Sequence, residues 1–216
     1  MVFKDRRDAG RYLAERLTEY SGEENLIILG IPHGGVPVAF EIARVLHAPL
    51  DVFLSSKLGV PGNEELAFGA FAENGGRFLD QSIIRAAGIS PDQILQITEE
   101  IEEDLRDHAL LYRKGRPPLN VEDRTVILVD DGIATGSSIF AAVQALWQMK
   151  PRKLVIAVPV APPSTCAWLR TEVDSLVVVY TPQQFQAVGQ FYKDFSQTSD
   201  QEVIELLEQS AHAHER

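Results

Sequence analysis

Apolar positions along this chain recur with two different periods. Short, largely apolar runs occupy residues 26–31, 50–54, 125–129, 153–158 and 176–180. Runs of that length, rich in Val, Ile and Leu, read as strands buried on both faces. Between them the spacing changes to three and four. Residues 3–20 place Ala9, Leu13, Ala14 and Leu17 on one helical face, 38–46 carry an Ala/Leu/Ile face, and 138–149 repeat the pattern. A long helix is predicted over 89–112, opened by Ser90-Pro91, and a last one from about residue 200 to 209 with a frayed end after it. Residues 66–71 and 77–79 would pair as a hairpin around Asn74-Gly75-Gly76, and 55–63 read as a loop. Strands alternating with helices predict an α/β architecture, an open parallel sheet with helices on both faces.

Composition narrows this picture. The 216 residues fit one domain with a sizeable core, and 45% hydrophobic with 24% charged residues is the balance of an ordinary globular protein. A net charge of −11 argues against nucleic acid as a partner, because phosphate backbones need a basic face. Cys166 is the only cysteine, so neither a disulfide framework nor a thiolate metal site is expected, and a reduced cytoplasm fits. The charged first residues and the lack of a long apolar span predict no signal peptide and no membrane segment. The acidic run 99–104 reads as a solvated helix face, since Ile97, Ile101, Leu105 and His108 keep an inner stripe. His212 and His214, on the tail, read as structural or adventitious rather than as ligands.

Chemistry concentrates where two strands end. The run 125–129 stops at Asp130-Asp131, continues through Gly132, Ile133, Ala134, Thr135 and Gly136, and enters a helix at Ser137-Ser138. A helix N-terminus offers unpaired N–H groups and partial positive charge to a phosphate. Thr135, Ser137 and Ser138 add hydroxyl donors, and glycines let backbone approach an anion. Asp130 and Asp131 would repel that phosphate but suit sugar hydroxyls or a divalent cation beside it. The combination describes a ribose 5-phosphate. A Walker-type loop would need Lys before the final hydroxyl residue, and GxGxxG is absent. The run 26–31 likewise delivers Pro32-His33-Gly34-Gly35 to a helix start.

The segment 125–138 resembles the phosphoribosyl pyrophosphate (PRPP) motif of the type I phosphoribosyltransferases: four apolar residues, two acidic ones, and a loop ending Thr-Gly-x-Ser/Thr. Together with IPHGGVPVAF, KLGVPGNEELAFGA and YKDFSQTSDQEV, most of residues 1–209 are similar to a bacterial group of phosphoribosyltransferases of unassigned acceptor. The resemblance implies a Rossmann-like sheet over about residues 24–182 in a single domain, 1–216, with hood elements from 57–80 and 181–209. By it, Asp130 and Asp131 would hold the ribose hydroxyls and act in catalysis, reaching Mg²⁺ through those hydroxyls or water. Ala134, Thr135, Gly136, Ser137 and Ser138 would hold the 5-phosphate. The first-strand loop, His33, Gly34 and Gly35, would meet pyrophosphate, with His33 where the family often has Arg or Lys beside an unusual peptide geometry. Lys57 would neutralise a pyrophosphate oxygen, a plain surface lysine being the alternative. Arg113, Lys114 and Arg116, read as a movable loop before Pro117-Pro118, would cover it, against a plain basic turn. The aromatics of 181–195 would stack on an acceptor ring or simply pack the tail.

The implied activity is transfer of phosphoribosyl from PRPP to a nitrogenous base or similar nucleophile, releasing pyrophosphate, in a homodimer. Ala134 stands where the hypoxanthine-guanine branch has an Asp, which lowers the case for that branch's purine chemistry; the loop is closer to the uracil-type Ala-Thr-Gly. Its alternative is a PRPP- or nucleotide-binding regulator without turnover, favoured by His33 and Ala134.

Overall fold

The structure, a computed structural model, describes residues 1–73, 76–114 and 116–214. In chain order its elements are α1 (Arg6–Glu15), β1 (Leu26–Gly30), α2 (Gly35–Leu46), β2 (Leu50–Val52), β3 (Ser55–Val60), β4 (Asn63–Ala72), β5 (Arg77–Leu79), α3 (Gln81–Ala87), α4 (Pro91–Arg113), β6 (Thr125–Val129), α5 (Ser137–Gln148), β7 (Lys153–Val160), α6 (Pro163–Leu169), β8 (Ser175–Tyr180) and α7 (Asp200–His214). They form two compact units: Met1–Phe53, Val121–Gly136 and Pro151–Arg216 in one, Leu54–Asn120 and Ser137–Lys150 in the other.

The first unit holds a five-stranded sheet in the order β2-β1-β6-β7-β8, every pairing parallel. Flanked by helices, it is the α/β sheet the sequence predicts. All five residues of both β1 and β6 are buried, as befits strands covered on both faces. From β1 the chain moves outward to β2 on one side, and from β6 outward to β7 and β8 on the other. The topological switch therefore lies between β1 and β6, and the register Gly30↔Val129 brings their carboxyl ends level. Helix α1 is capped by Asp5, whose Oδ1 accepts the Asp8 N–H at 2.7 Å, and buries Ala9, Leu13 and Ala14 as its period requires. It ends at Glu15, short of the predicted 20, and gives way to a 3₁₀ turn over Thr18–Tyr20. Helix α2 begins at Gly35, three residues earlier than its apolar face suggests. The N-terminal segment pairs with residues 191–193: Phe3 N–H donates to Phe191 O at 2.8 Å and Lys193 N–H to Phe3 O at 2.9 Å.

The second unit is built on an antiparallel sheet, β3-β4-β5. Residues 55–63 are not a loop. They form β3 and a Pro61-Gly62 turn in which Gly62 has φ +80°, the conformation a type II turn demands at that position. Strands β4 and β5 pair as predicted, from Gly69↔Leu79 to Phe71↔Arg77; of the predicted turn, Asn74 and Gly75 lie outside the described residues. Helix α4 opens with a reciprocal capping box, Gln93 N–H to Ser90 Oγ at 3.2 Å and Ser90 N–H to Gln93 Oε1 at 2.9 Å. Its acidic run is solvent-exposed, and so is His108, expected on the inner stripe.

Candidate active site

The two chemistry-bearing loops leave adjacent strands. Pro32 to Gly34 follow β1, and Asp130 to Gly136 follow β6, so both emerge at the switch point, where open α/β sheets bind ligands. Gly34 and Gly35 make that meeting possible. A Cβ on Gly35 would stand 2.9 Å from Asp130 Cα, and one on Gly34 would collide with the Asp131 carboxylate. The glycine pair is thus a packing requirement between the loops. The Pro32–His33 peptide is cis. His33 Nε2 lies 2.9 Å from Asp200 Oδ1 at the start of α7.

The acidic loop is fixed along its length. Asp131 N–H donates to Asp130 Oδ1 at 2.8 Å, Ile133 N–H to Val160 O at 2.9 Å, and Thr165 Oγ1 to Ala134 O at 2.8 Å. Gly136 has φ +84°, closed to most residues, and lies against Thr165 and Trp168. Thr135 and Ala134 are exposed. Helix α5 starts at the next residue, Ser137; Ser138 is exposed, and the Ser137 side chain lies outside the description.

Charge sets the character of this edge. Burial and the neighbouring Asp131 charge push the Asp130 carboxyl well above the ordinary range. Burial also raises Asp131, although Arg6 pulls the other way. Arg6 Nε donates to Asp131 Oδ2 at 2.8 Å, its Nη1 to Ser196 O at 2.6 Å, and its guanidinium lies 4.0 Å over the Phe195 ring. The Tyr192 hydroxyl donates to Asp131 O at 2.6 Å, and burial raises its own pKa. A Cβ on Gly132 would meet Val188. The segment 188–196 therefore wraps the acidic loop, whereas the sequence had pointed to this segment only through its aromatics.

This edge presents two adjacent carboxylates, a fixed backbone turn and the Arg6 guanidinium bound to one of the carboxylates. A family model, the phosphoribosyl transferase domain, matches residues 4–189. The chain belongs to this family. Two Mycobacterium tuberculosis proteins, from strains CDC 1551 / Oshkosh and H37Rv, are each 43% identical over 209 residues, 97% of this chain; the second carries the name "Putative phosphoribosyl transferase Rv0571c". The match covers 47% of their length, so the chain spans about half of these curated relatives. The crystal structure of TT1426 from Thermus thermophilus is similar at 42% identity and TM-score 0.86, over 96% of this chain and 98% of that one. The AQ2163 protein from Aquifex aeolicus shares the fold at TM-score 0.52 and 13% identity, over 85% of this chain and 78% of that one.

The remaining residues singled out in this phosphoribosyl transferase chain lie in the second unit. Lys57 is on β3, half-buried, beside a cavity of about 660 Å³ shared with Gly59, Gln93 and Ile97. Arg113 is not on a loop. It is the last residue of α4, buried, with Nη1 and Nη2 both donating to Glu73, the latter at 2.6 Å. The helix runs on because Tyr112 continues the buried stripe of Thr98 and Leu105, and a cation suits a helix C-terminus. Lys114 is its left-handed cap, and Arg116 is half-buried against the carbonyls of Tyr112 and Arg113. Arg6 escaped the sequence reading, and Tyr192 was singled out only as one of the aromatics of 181–195, not as a partner of the acidic loop. Their partner Asp131 is 125 and 61 residues away, and no local spacing announces such contacts.

Proposed function

We propose that this protein transfers the 5-phosphoribosyl group of PRPP to a nitrogenous base or similar nucleophile and releases pyrophosphate. The observation that supports this best is the partly buried Asp130-Asp131 pair at the end of β6, packed against the Gly34-Gly35 turn of β1 at the switch of a parallel sheet. Two carboxylates there would orient the ribose 2- and 3-hydroxyls. The backbone of Ala134, Thr135 and Gly136 would take the 5-phosphate, which leaves the anomeric carbon directed to the first-strand loop. Displacement at that carbon builds positive charge on the sugar, and carboxylates beside it favour such a state. The chain's share is positioning and charge. The roles assigned to Ser137, Ser138, Lys57, Arg113 and Arg116 belong to the same proposal and rest on sequence; for Arg113 the tight pairing with Glu73 weighs against contact with ligand.

Among the described residues no cluster of three or more His, Cys, Asp or Glu could cage a metal ion. The donor set still fits Mg²⁺, which commonly takes one or two carboxylates and completes its shell with water and substrate phosphate. Asp130 and Asp131 would hold it through ribose hydroxyls or water, and the ion would neutralise departing pyrophosphate. A homodimer and a cytoplasmic setting are part of the same reading. Among the described residues no helix is long and apolar enough to cross a membrane.

The test is pyrophosphate release from PRPP and Mg²⁺ across a panel of bases and small nitrogen nucleophiles, with calorimetry of PRPP alone. Release with one acceptor establishes the transferase and names its substrate. Tight PRPP binding without release from any acceptor selects the regulator instead, and absence of binding refutes both.

A further inference from the structure

The proposed ligand raises a charge problem. A sugar bearing a phosphate and a pyrophosphate would lie beside two adjacent carboxylates, in a chain of net charge −11. Residues 132–136, Gly34 and Gly35 offer amides and hydroxyls but no fixed cation. Arg6 is the cation seated where the two loops touch. Its Nε is 2.8 Å from Asp131 Oδ2, and only 3.0 Å from the place a Cβ on Gly34 would occupy. The Arg6 side chain is 12% exposed, so its charge is weakly screened. Stacking on Phe195 and the bond to Ser196 O hold it in place. These contacts use only two of the five N–H donors a guanidinium carries, and only one oxygen of Asp131. A cavity of about 200 Å³ adjoins it, bordered by Arg6 and Arg7 but also by the carboxylates of Asp5, Asp194 and Glu202.

We propose that Arg6 is a further ligand-binding cation of this site: the guanidinium N–H groups not used by Asp131 and Ser196 receive the pyrophosphate group while Nε keeps Asp131 turned towards the ribose. The inference rests on the PRPP reading above. It gives the N-terminal helix a part in binding, and it explains why an arginine is held at a carboxylate that is itself needed for sugar hydroxyls. A guanidinium can serve both because its planar fork bonds two groups at once.

Calorimetry with two probes, PRPP and ribose 5-phosphate, separates contact with pyrophosphate from bracing of Asp131. Thermal melts of the same samples track folding. In Arg6→Gln, PRPP binding should weaken about tenfold or more while ribose 5-phosphate binding changes little. The salt dependence of PRPP binding should become shallower, because one charged contact is gone. Arg6→Lys, which restores the charge without the planar fork, should recover only part of the PRPP affinity. Equal weakening for both probes would reduce Arg6 to a brace for Asp131 and overturn the assignment. Tighter PRPP binding in Arg6→Gln would make Arg6 a plug and overturn it as well. If wild-type protein binds both probes and Arg6→Gln binds them equally well, this inference alone fails; if wild-type protein binds neither, the PRPP reading itself fails and takes the inference with it.

Discussion

Two arginine–carboxylate pairs, one in each unit, use the same chemistry for different ends. Arg113 grips Glu73 with both Nη atoms, the side chains are only 5% and 6% exposed, and Glu73 Oε1 also accepts the Leu54 N–H at 3.3 Å. Arg6 meets Asp131 through Nε alone, and a second carboxylate, Asp130, stands next to it without an arginine of its own. The first pair is closed, with fork matched to fork. The second is open, with excess negative charge and spare donors. A closed pair spends its geometry on the fold, whereas an open one keeps hydrogen-bonding capacity for a ligand. Burial alone does not separate them. The count of engaged atoms does.

Breaking the closed pair should produce the largest effect. Glu73→Gln leaves the Arg113 charge buried without its counter-charge, a loss of about 3–5 kcal/mol. For a chain of this size that lowers the melting temperature on the order of 10 °C. Replacing both partners, as Glu73→Leu with Arg113→Met, should restore much of the loss, since apolar pairs of similar volume can stand in for a buried ion pair. Thermal unfolding followed by circular dichroism checks this. A Glu73→Gln protein that melts like the wild type would show that the pair is not closed. The open pair should respond in ligand binding instead. Asp131→Asn should weaken PRPP at least tenfold, about 1.4 kcal/mol, with a smaller change in melting than Glu73→Gln. Unchanged affinity by calorimetry would remove Asp131 from the proposed ribose contact.

The two pairs also differ in how far the sequence foretells them. The acidic loop is legible because its chemistry is contiguous: strand, Asp130-Asp131, glycine turn and helix are consecutive residues, and each follows from its own side chains. The parallel sheet is legible for the same reason, since apolar runs and helical periods alternate along the chain. Arg113 misleads. Tyr112 to Arg116 looks like a basic turn, and only Glu73, forty residues earlier, reveals it as the sealed end of a helix. Arg6 is silent in the sequence because Asp131 lies 125 residues on. Strand β3 was hidden by glycine and proline, which act here as a bulge near Gly59 and a two-residue turn, not as a loop. Short α3 has too few residues to show a period, although Asp80 caps it by accepting the N–H groups of Ser82 and Ile83. Local signals place elements and motifs; contacts between distant side chains decide which charges are structural.

The smallest effect is the most diagnostic of an open pair, because it has the opposite sign. Asp130 has its pKa raised by burial and by the Asp131 charge. In the pH range between the ordinary carboxylate value and that raised value, the folded protein holds a proton that the unfolded chain has lost. Stability must therefore fall as pH rises through this range, and stay lower above it. Asp130→Asn removes the titration while its amide oxygen can still accept the Asp131 N–H. The variant should be more stable than the wild type near neutral pH, by about 1 kcal/mol, the usual gain when a functional site is relieved. The advantage should shrink as pH drops towards the ordinary carboxylate value, where the wild-type carboxyl is itself neutral. PRPP binding should weaken in the same variant. Melting curves for both proteins from acidic to neutral pH decide the matter: a variant less stable at neutral pH would mean that Asp130 supports the fold, and the contrast with Glu73 would collapse.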